Sequence, residues 1–150
     1  MVHASKYKLA NAVLFQGGWF SCILLPIQLS IVTTTAILLI HFKMSKNFNK
    51  ELLLVTSIGI VGYCMDSIYS FTGNIDLCSG SGSQIYLVCV WLLFATTLNS
   101  SMKFFTNHSV KAALLGLLAP VSYYAAQQFG KVKYSEPLLQ SILFHALLWS

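Results

Sequence analysis

Hydrophobic and polar positions follow each other in long blocks along this chain. Apolar runs cover residues 9–25, 27–42, 52–71, 84–105 and 112–129, and a shorter run covers residues 137–150. The acidic residues and lysines lie between these runs or near their ends, apart from Asp66. A helix needs about 20 apolar residues to cross a ~30 Å hydrocarbon core. The pattern therefore predicts an all-α polytopic transmembrane helix bundle, with five full spans and a partial sixth, that forms one integral-membrane domain over residues 1–150.

Prolines mark two expected irregularities. As a single helix, residues 9–42 would be about 51 Å long, which exceeds the thickness of a membrane. Pro26 divides that stretch, because proline is tolerated at the start of a helix, where its missing N–H would be unpaired anyway. Pro120 predicts a kink in the fifth span. The run from residue 137 is too short to cross. It either re-enters the membrane, lies at the interface or continues past residue 150, and we favour a truncated chain or an abbreviated protein.

Composition agrees with a membrane protein and argues against a nucleic-acid reader. The chain is 56% hydrophobic and 9% charged, with a mean hydropathy of +0.70, whereas soluble domains carry about 25% charged residues. The formal charge of +5 comes from lysines that are dispersed among the polar gaps. Nucleic-acid readers instead cluster their basic residues on one face. We expect the lipid bilayer and a membrane-protein partner as contacts, and no nucleic acid.

The distribution of lysines predicts an orientation. With a cytoplasmic N-terminus, the cytoplasmic segments would hold Lys6, Lys8, Lys43, Lys46, Lys50, Lys103 and Lys111. The opposite side would hold only Lys131 and Lys133. Cytoplasmic loops carry an excess of lysine and arginine in membrane proteins. The pattern therefore favours a multi-pass protein whose N-terminus is cytoplasmic.

Asp66 is the leading functional residue because it lies inside a span. A central Asp costs roughly 2.5–3.5 kcal/mol on insertion scales. It shares a helix face with Gly59 and Gly62, since these positions follow the 3.6-residue period. Two roles stay open for it: an interhelical hydrogen-bond anchor, or a site for a substrate, an ion or a proton. Neutral donors such as Tyr123 lie at a similar predicted depth.

Small residues predict where helices pack against each other. Membrane helices associate through close contact of small residues and through polar bonds. Gly59 and Gly62 form such a stripe in the third span, and Gly116 and Ala119 belong to another in the fifth. We expect both stripes to face neighbouring helices.

A second polar level is predicted nearer the cytoplasm. Asn11 and Gln16 lie in the first span, and Asn99 lies late in the fourth, next to several Ser and Thr residues. These side chains could join spans one and four. Interhelical bonds of this kind average about 0.6 kcal/mol, so they orient helices more than they hold them together. A structural and a functional use both stay open.

The sequence contains none of the familiar catalytic or ligand-binding motifs. It has no Ser/His/Asp order, no glycine-rich phosphate loop and no paired carboxylates. The four cysteines and four histidines lack the spacing of metal ligands. We therefore predict no catalytic residues, no cofactor and no metal site, and we favour a protein that is not an enzyme while an enzyme stays open as an alternative.

Three segments resemble an uncharacterised family of bacterial inner-membrane proteins, domain of unknown function 2878. They are the Phe-Gln-Gly-Gly-Trp-Phe stretch at residues 15–20, Asp66-Ser67 followed by Gly73, and the Trp-Leu-Leu-Phe-Ala-Thr-Thr-Leu-Asn stretch at residues 91–99. The family pattern has His where this chain has Ser100, which weakens a proposal of chemistry at that level. The resemblance implies a multi-span protein of the bacterial inner membrane and supplies no activity.

These observations favour a small membrane scaffold or accessory subunit. Its basis is the near absence of soluble segments and of catalytic motifs. One alternative is a small proton-coupled transporter that uses Asp66. The other is a lipid-modifying membrane enzyme, in which Asp66 or the level of Gln16 and Asn99 contacts a lipid head group.

Overall fold

The computed structural model describes residues 2–77 and 84–150, and it is helical over most of that length. The helices are α1 (Val2–Leu24), α2 (Ile27–Met44), α3 (Phe48–Phe71), α4 (Ile85–Leu98), α5 (Lys103–Thr106), α6 (Ser109–Gly116), α7 (Ala119–Gln128) and α8 (Leu138–Trp149). Two short strands, β1 (Ile75–Asp76) and β2 (Lys133–Tyr134), form an antiparallel pair. The predicted all-α class is confirmed, and this pair is a small addition to it.

Three helical stretches of the described chain are long and apolar enough to cross a membrane. They are Ile27–Met44, Phe48–Phe71 and Ser109–Gln128. The apolar helices α4 and α8 are shorter. The chain therefore has helices that could span a membrane, while the predicted count of five full spans and a partial sixth is not confirmed by these lengths.

Helix breaks occur where the sequence contains proline. The first helix ends at Leu24, and Pro26 precedes α2, accepting hydrogen bonds through its carbonyl from the N–H groups of Leu29 and Ser30. The predicted fifth span is divided into α6 and α7, with Pro120 in the first turn of α7. A proline there lacks an N–H that the first turn leaves unpaired in any case.

The fourth helix is shorter than its apolar run. It ends at Leu98, although the run predicted a span over residues 84–105. Thr97 donates its hydroxyl to the Phe94 carbonyl at 2.6 Å, and its own carbonyl accepts from the N–H groups of Ser100 and Met102. Short polar side chains offer the backbone local partners that compete with helix continuation. The polar stretch therefore ends the helix.

The chain divides into two compact units. The first contains Met1–Tyr63 and Ile85–Lys103, and the second contains Cys64–Gln84 and Phe104–Ser150. That both units belong to a single membrane domain remains a prediction.

The core of the first unit lies among α1, α2 and α4. Cys22, Ile37, Cys89 and Leu93 form a buried cluster. A Cβ atom on Gly18 would lie 2.7 Å from Leu93 Cδ1 and 2.9 Å from Ile37 Cδ1. Because such contacts are too short for a methyl group, glycine is what allows α1 to approach both neighbours so closely.

The two predicted glycine positions of α3 pack against α4. A Cβ atom on Gly59 would lie 2.8 Å from Leu92 Cδ2, and one on Gly62 would lie 2.0 Å from Trp91 Cδ2. The indole of Trp91 therefore lies directly on the backbone of α3. This contact belongs to the first unit.

In the second unit, glycines end two helices and lead into the strands. Gly73 follows α3 and Gly130 follows α7, with φ angles of 77° and 71°. Glycine adopts this left-handed conformation without steric cost and commonly follows a helix end. The chain then forms β1 and β2, in which Ile75 lies opposite Tyr134.

The helices of the second unit also meet at small residues. A Cβ atom on Gly116 would lie 1.7 Å from the Trp149 carbonyl oxygen, so α6 touches the end of α8. Ala119 is half-buried at the start of α7.

Candidate functional site

Asp66 lies in the last part of α3, and its side chain is completely buried. The hydroxyl of Tyr123 lies 2.7 Å from Oδ1 and 2.6 Å from Oδ2 of this carboxylate, and donates to it. Tyr123 belongs to α7, so the bond joins α3 to α7 within the second unit. A hydrogen bond to a charged acceptor is worth about 1.5–3 kcal/mol, roughly twice a neutral one.

His145 lies beside this pair. It projects from α8 and is also completely buried. Its ring centroid lies 4.4 Å from that of Tyr123, edge to face, and 4.6 Å from that of Tyr69. Tyr69 follows Asp66 by three positions, so the two share a face of α3.

Tyr134 completes the group from β2. Its hydroxyl lies 2.5 Å from His145 Nδ1, and the tautomer of the imidazole decides which of the two donates. Burial raises the pKa of Tyr134 well above its usual range, and the charges of Tyr69 and Asp66 raise it further. We call these five residues the Asp66 cluster: Asp66, Tyr69, Tyr123, Tyr134 and His145.

Backbone contacts hold the cluster in place. The hydroxyl of Tyr69 donates to the carbonyl of Ser141, one turn before His145 on α8, at 2.6 Å. The N–H of Tyr134 donates to Gln127 Oε1 at 2.7 Å, which fixes β2 against the end of α7. Each aromatic ring is therefore positioned at its hydroxyl or its backbone as well as by packing.

One polar atom of the cluster has no hydrogen-bond partner among the described residues. It is His145 Nε2, which is buried. If Tyr134 donates to Nδ1, then Nε2 carries the proton and can donate; in the other tautomer Nε2 is an acceptor. Leaving such a group unpaired costs about 1–3 kcal/mol. This atom is thus an open hydrogen-bonding position inside the cluster.

The Asp66 cluster contains side chains that can bind and release protons. A carboxylate, phenols and an imidazole can each gain or lose a proton, and a hydroxyl can donate and accept at the same time. Carboxylates and histidines form the proton relays of membrane pumps and transporters.

The second predicted polar level forms a network in the first unit. Asn11 Nδ2 donates to the carbonyl of Thr96 at 3.2 Å, and Ser101 Oγ donates to Asn11 Oδ1 at 2.8 Å. Asn11 is buried, and these bonds join α1 to the end of α4. The amide of Asn11 therefore has both its nitrogen and its oxygen engaged.

Asn99 takes part in a separate arm of that network, whereas Gln16 does not join it. Asn99 Nδ2 donates to Glu51 Oε1 at 3.1 Å, and Glu51 Oε2 lies 3.2 Å from His41 Nε2. The Tyr7 hydroxyl lies 3.4 Å from His41 Nδ1. Gln16 is exposed on α1. Of the residues predicted at this level, Asn11 and Asn99 are therefore hydrogen-bonded, whereas Gln16 is exposed.

Sequence reasoning singled out Asp66 and placed Tyr123 at its depth, but it did not identify Tyr69, Tyr134 or His145. The signal for His145 was present, since it is a histidine within the apolar helix Leu138–Trp149. An imidazole inside an apolar helix is costly for the same reason as the carboxylate of Asp66. Tyr134 had no such signal, because its place depends on the pairing of two strands that are distant in sequence.

The chain belongs to a family described as Protein of unknown function (DUF2878), whose family model matches residues 8–150. The family resemblance predicted from the sequence is therefore confirmed over nearly the whole chain. No curated protein matches the chain, and no solved structure matches it.

Proposed function

We propose that this member of the family is a small multi-pass carrier of the bacterial inner membrane that couples movement of a polar solute to movement of protons. Asp66 is the carboxylate that binds the proton, and Tyr123 is the hydroxyl that positions it. The observation that supports this is the complete burial of the Asp66 carboxylate with the Tyr123 hydroxyl against both of its oxygens. Ionisable groups inside a membrane usually belong to a substrate, ion or proton pathway.

The proposed topology keeps a cytoplasmic N-terminus, five full spans and a partial sixth formed by α8. The three long apolar stretches support it in part. Labelling of Cys78, which lies outside the described residues, tests the orientation in a chain whose other cysteines are replaced by alanine. An impermeant thiol reagent should modify it in intact spheroplasts. Modification only after permeabilisation would contradict the orientation.

In this proposal, His145 provides the contact for the solute. Its Nε2 atom is the open hydrogen-bonding position of the Asp66 cluster. A hydroxyl, amine or carboxyl group of a bound solute would satisfy this atom. Binding there would bring the solute close to Tyr123, whose ring packs against the imidazole. Proton binding at Asp66 and solute binding at His145 would then be linked through Tyr123, which contacts both residues.

A hydrogen bond that only anchors two helices would need fewer polar side chains than this cluster contains. Buried polar groups are costly unless every member is paired, and an apolar contact of similar size is often as stable. The cluster instead combines a carboxylate, several phenols and an imidazole with an open nitrogen. That combination favours a proton-linked site over packing alone.

An accessory subunit is the second candidate, and a feature of α8 favours it. An exposed apolar face of this helix is formed by Pro137, Leu139, Gln140, Leu143, Phe144 and Leu147. A transmembrane helix of a partner would fit such a surface. A photo-crosslinking residue at position 143 should then form an adduct with one defined protein. Adducts with lipid alone would contradict this role.

The substitution Asp66→Asn tests the carrier. Asparagine keeps the size and the hydrogen bonding of the side chain, but it cannot bind and release a proton. In a deletion strain, the intact gene should restore the normal distribution of the solute between cells and medium, measured by untargeted metabolite analysis. The Asp66→Asn protein, at equal abundance, should fail to restore it. Full restoration would leave Asp66 with a structural role.

A further inference from the structure

Two cysteines from different helices meet in the core of the first unit. Cys22 of α1 and Cys89 of α4 belong to the same buried cluster, together with Ile37 and Leu93. Both cysteines are buried and are present as thiols. Cys22 Sγ also lies 3.8 Å from the hydroxyl of Thr34. The carrier site in the second unit uses none of these groups.

Both thiols lie near the same end of their helices. Cys22 lies two residues before the end of α1 at Leu24, and Cys89 lies four residues after the start of α4 at Ile85. At 1.5 Å per residue, each thiol is attached within about 3–6 Å of a helix end. With the N-terminus in the cytoplasm, as proposed above, these ends face the periplasm. Disulfides form and persist in that compartment.

We propose that Cys22 and Cys89 form a disulfide bond that joins α1 to α4. A disulfide requires the two sulfurs to come within bonding distance, and both cysteines already pack in the same buried cluster. The oxidant is another disulfide, such as that of a periplasmic thiol oxidoreductase. The pairing itself depends on the first unit alone, and only its oxidation in the cell rests on the proposed orientation.

The reaction is a thiol–disulfide exchange in two steps. The thiolate of Cys89, which is 6% exposed against 1% for Cys22, attacks one sulfur of the oxidant and displaces the other as a thiolate. The thiolate of Cys22 then attacks Cys89 Sγ in the mixed disulfide and displaces the remaining sulfur of the oxidant. The two cysteines lose two electrons and two protons in total. The oxidant gains both and leaves as a dithiol.

The disulfide would connect α1 and α4 near one end. The two helices are already connected at the other end. There, Asn11 and Thr96 join α1 to α4 by a hydrogen bond. The disulfide would close a long loop, and cross-links that close long loops restrict the unfolded chain most strongly. We therefore expect the oxidised protein to have a higher Tm than the reduced protein.

A chain with Cys64→Ala and Cys78→Ala keeps only the proposed pair and tests it directly. The protein is extracted from cells into N-ethylmaleimide and denatured, and its intact mass is measured. We expect no alkylation before reduction and a mass about 2 Da below that of the dithiol, which is the loss of two hydrogens. After reduction, both thiols should react. Adding Cys22→Ala should leave Cys89 open to alkylation without any reduction.

Peptide mapping of the natural chain gives a second measurement that does not depend on the folding of any variant. It should identify a peptide pair joined through Cys22 and Cys89. Two maleimide adducts in the unreduced protein, or a pairing with Cys78, would overturn the proposal. So would a bond that appears only after treatment with diamide, because the cell would then not form it.

Discussion

The hydroxyl of Tyr123 lies almost equally far from the two oxygens of Asp66, 2.7 Å from Oδ1 and 2.6 Å from Oδ2. A hydroxyl has a single proton, so it can point fully at only one oxygen at a time. The two carboxylate oxygens therefore share this one donor. This geometry is suited to a carboxylate that gains and loses a proton while its position is held.

Replacing Tyr123 with phenylalanine removes the donor and leaves the buried carboxylate. We expect a loss of about 1.5–3 kcal/mol in the free energy of unfolding, because the bond goes to a charged acceptor. Thermal unfolding of the detergent-solubilised protein measures it. Tyr124→Phe is the matched control, since Tyr124 is exposed on the same helix. Equal stability of the two variants would contradict the Tyr123–Asp66 bond.

The contact between Gly62 and Trp91 gives a steric prediction. A Cβ atom at Gly62 would lie 2.0 Å from the indole, whereas nothing lies within 4 Å of the corresponding position at Gly17. Gly62→Ala should therefore destabilise the protein by about 1–3 kcal/mol, the usual range for overpacking. Gly17→Ala should have no such cost. Combining Gly62→Ala with Trp91→Leu should recover part of the loss, and failure to do so would contradict the contact.

The polar bonds between α1 and α4 should contribute little to stability. Asn11→Ala removes the bonds to Thr96 and Ser101, and interhelical bonds of this kind average about 0.6 kcal/mol each. We expect a loss of roughly 1 kcal/mol, measured by chemical unfolding in mixed micelles. Gln16→Ala is the control on the same helix, because Gln16 is exposed. A loss at Gln16 as large as that at Asn11 would contradict the network.

The pKa of Tyr134 predicts a loss of stability in alkali. Burial raises the pKa of Tyr134 in the folded protein, while the unfolded chain titrates at about 10. Below pH 10 both states keep the proton, so Tyr134 adds no pH dependence. Above pH 10 the unfolded state loses it first, and stability falls as the pH rises. The slope of unfolding free energy against pH above 10 should be smaller in Tyr134→Phe, and identical slopes would contradict the burial.

Local chemistry made parts of the fold predictable. The breaks at Pro26 and Pro120 follow from the missing N–H of proline, which has the same effect whatever residues surround it. The end of α4 at Leu98 was not predicted, because apolar composition continues past the point where Ser and Thr side chains take over the backbone bonds. Hydropathy predicts which residues favour lipid. The end of a helix depends instead on the local hydrogen bonds of its backbone.

The candidate site was likewise predictable from the sequence only in part. Asp66 could be found from the sequence, because the cost of an acid inside a span depends on that span alone. Its surroundings could not, because Tyr134 reaches His145 only through the pairing of β1 with β2. Contacts between distant segments depend on packing that a single sequence does not reveal.

Asp66 is proposed to carry the proton whose movement is coupled to that of the solute. Everted membrane vesicles with an acidic interior and a pH-sensitive dye test this role, with a panel of small metabolites added one at a time. When the right solute is added, vesicles with the natural protein should change the gradient: they lose part of it if protons leave in exchange for the solute, and they increase it if protons enter with the solute. Vesicles with Asp66→Asn at equal abundance should behave like vesicles without the protein. An equal change of the gradient with both proteins would contradict the role of Asp66.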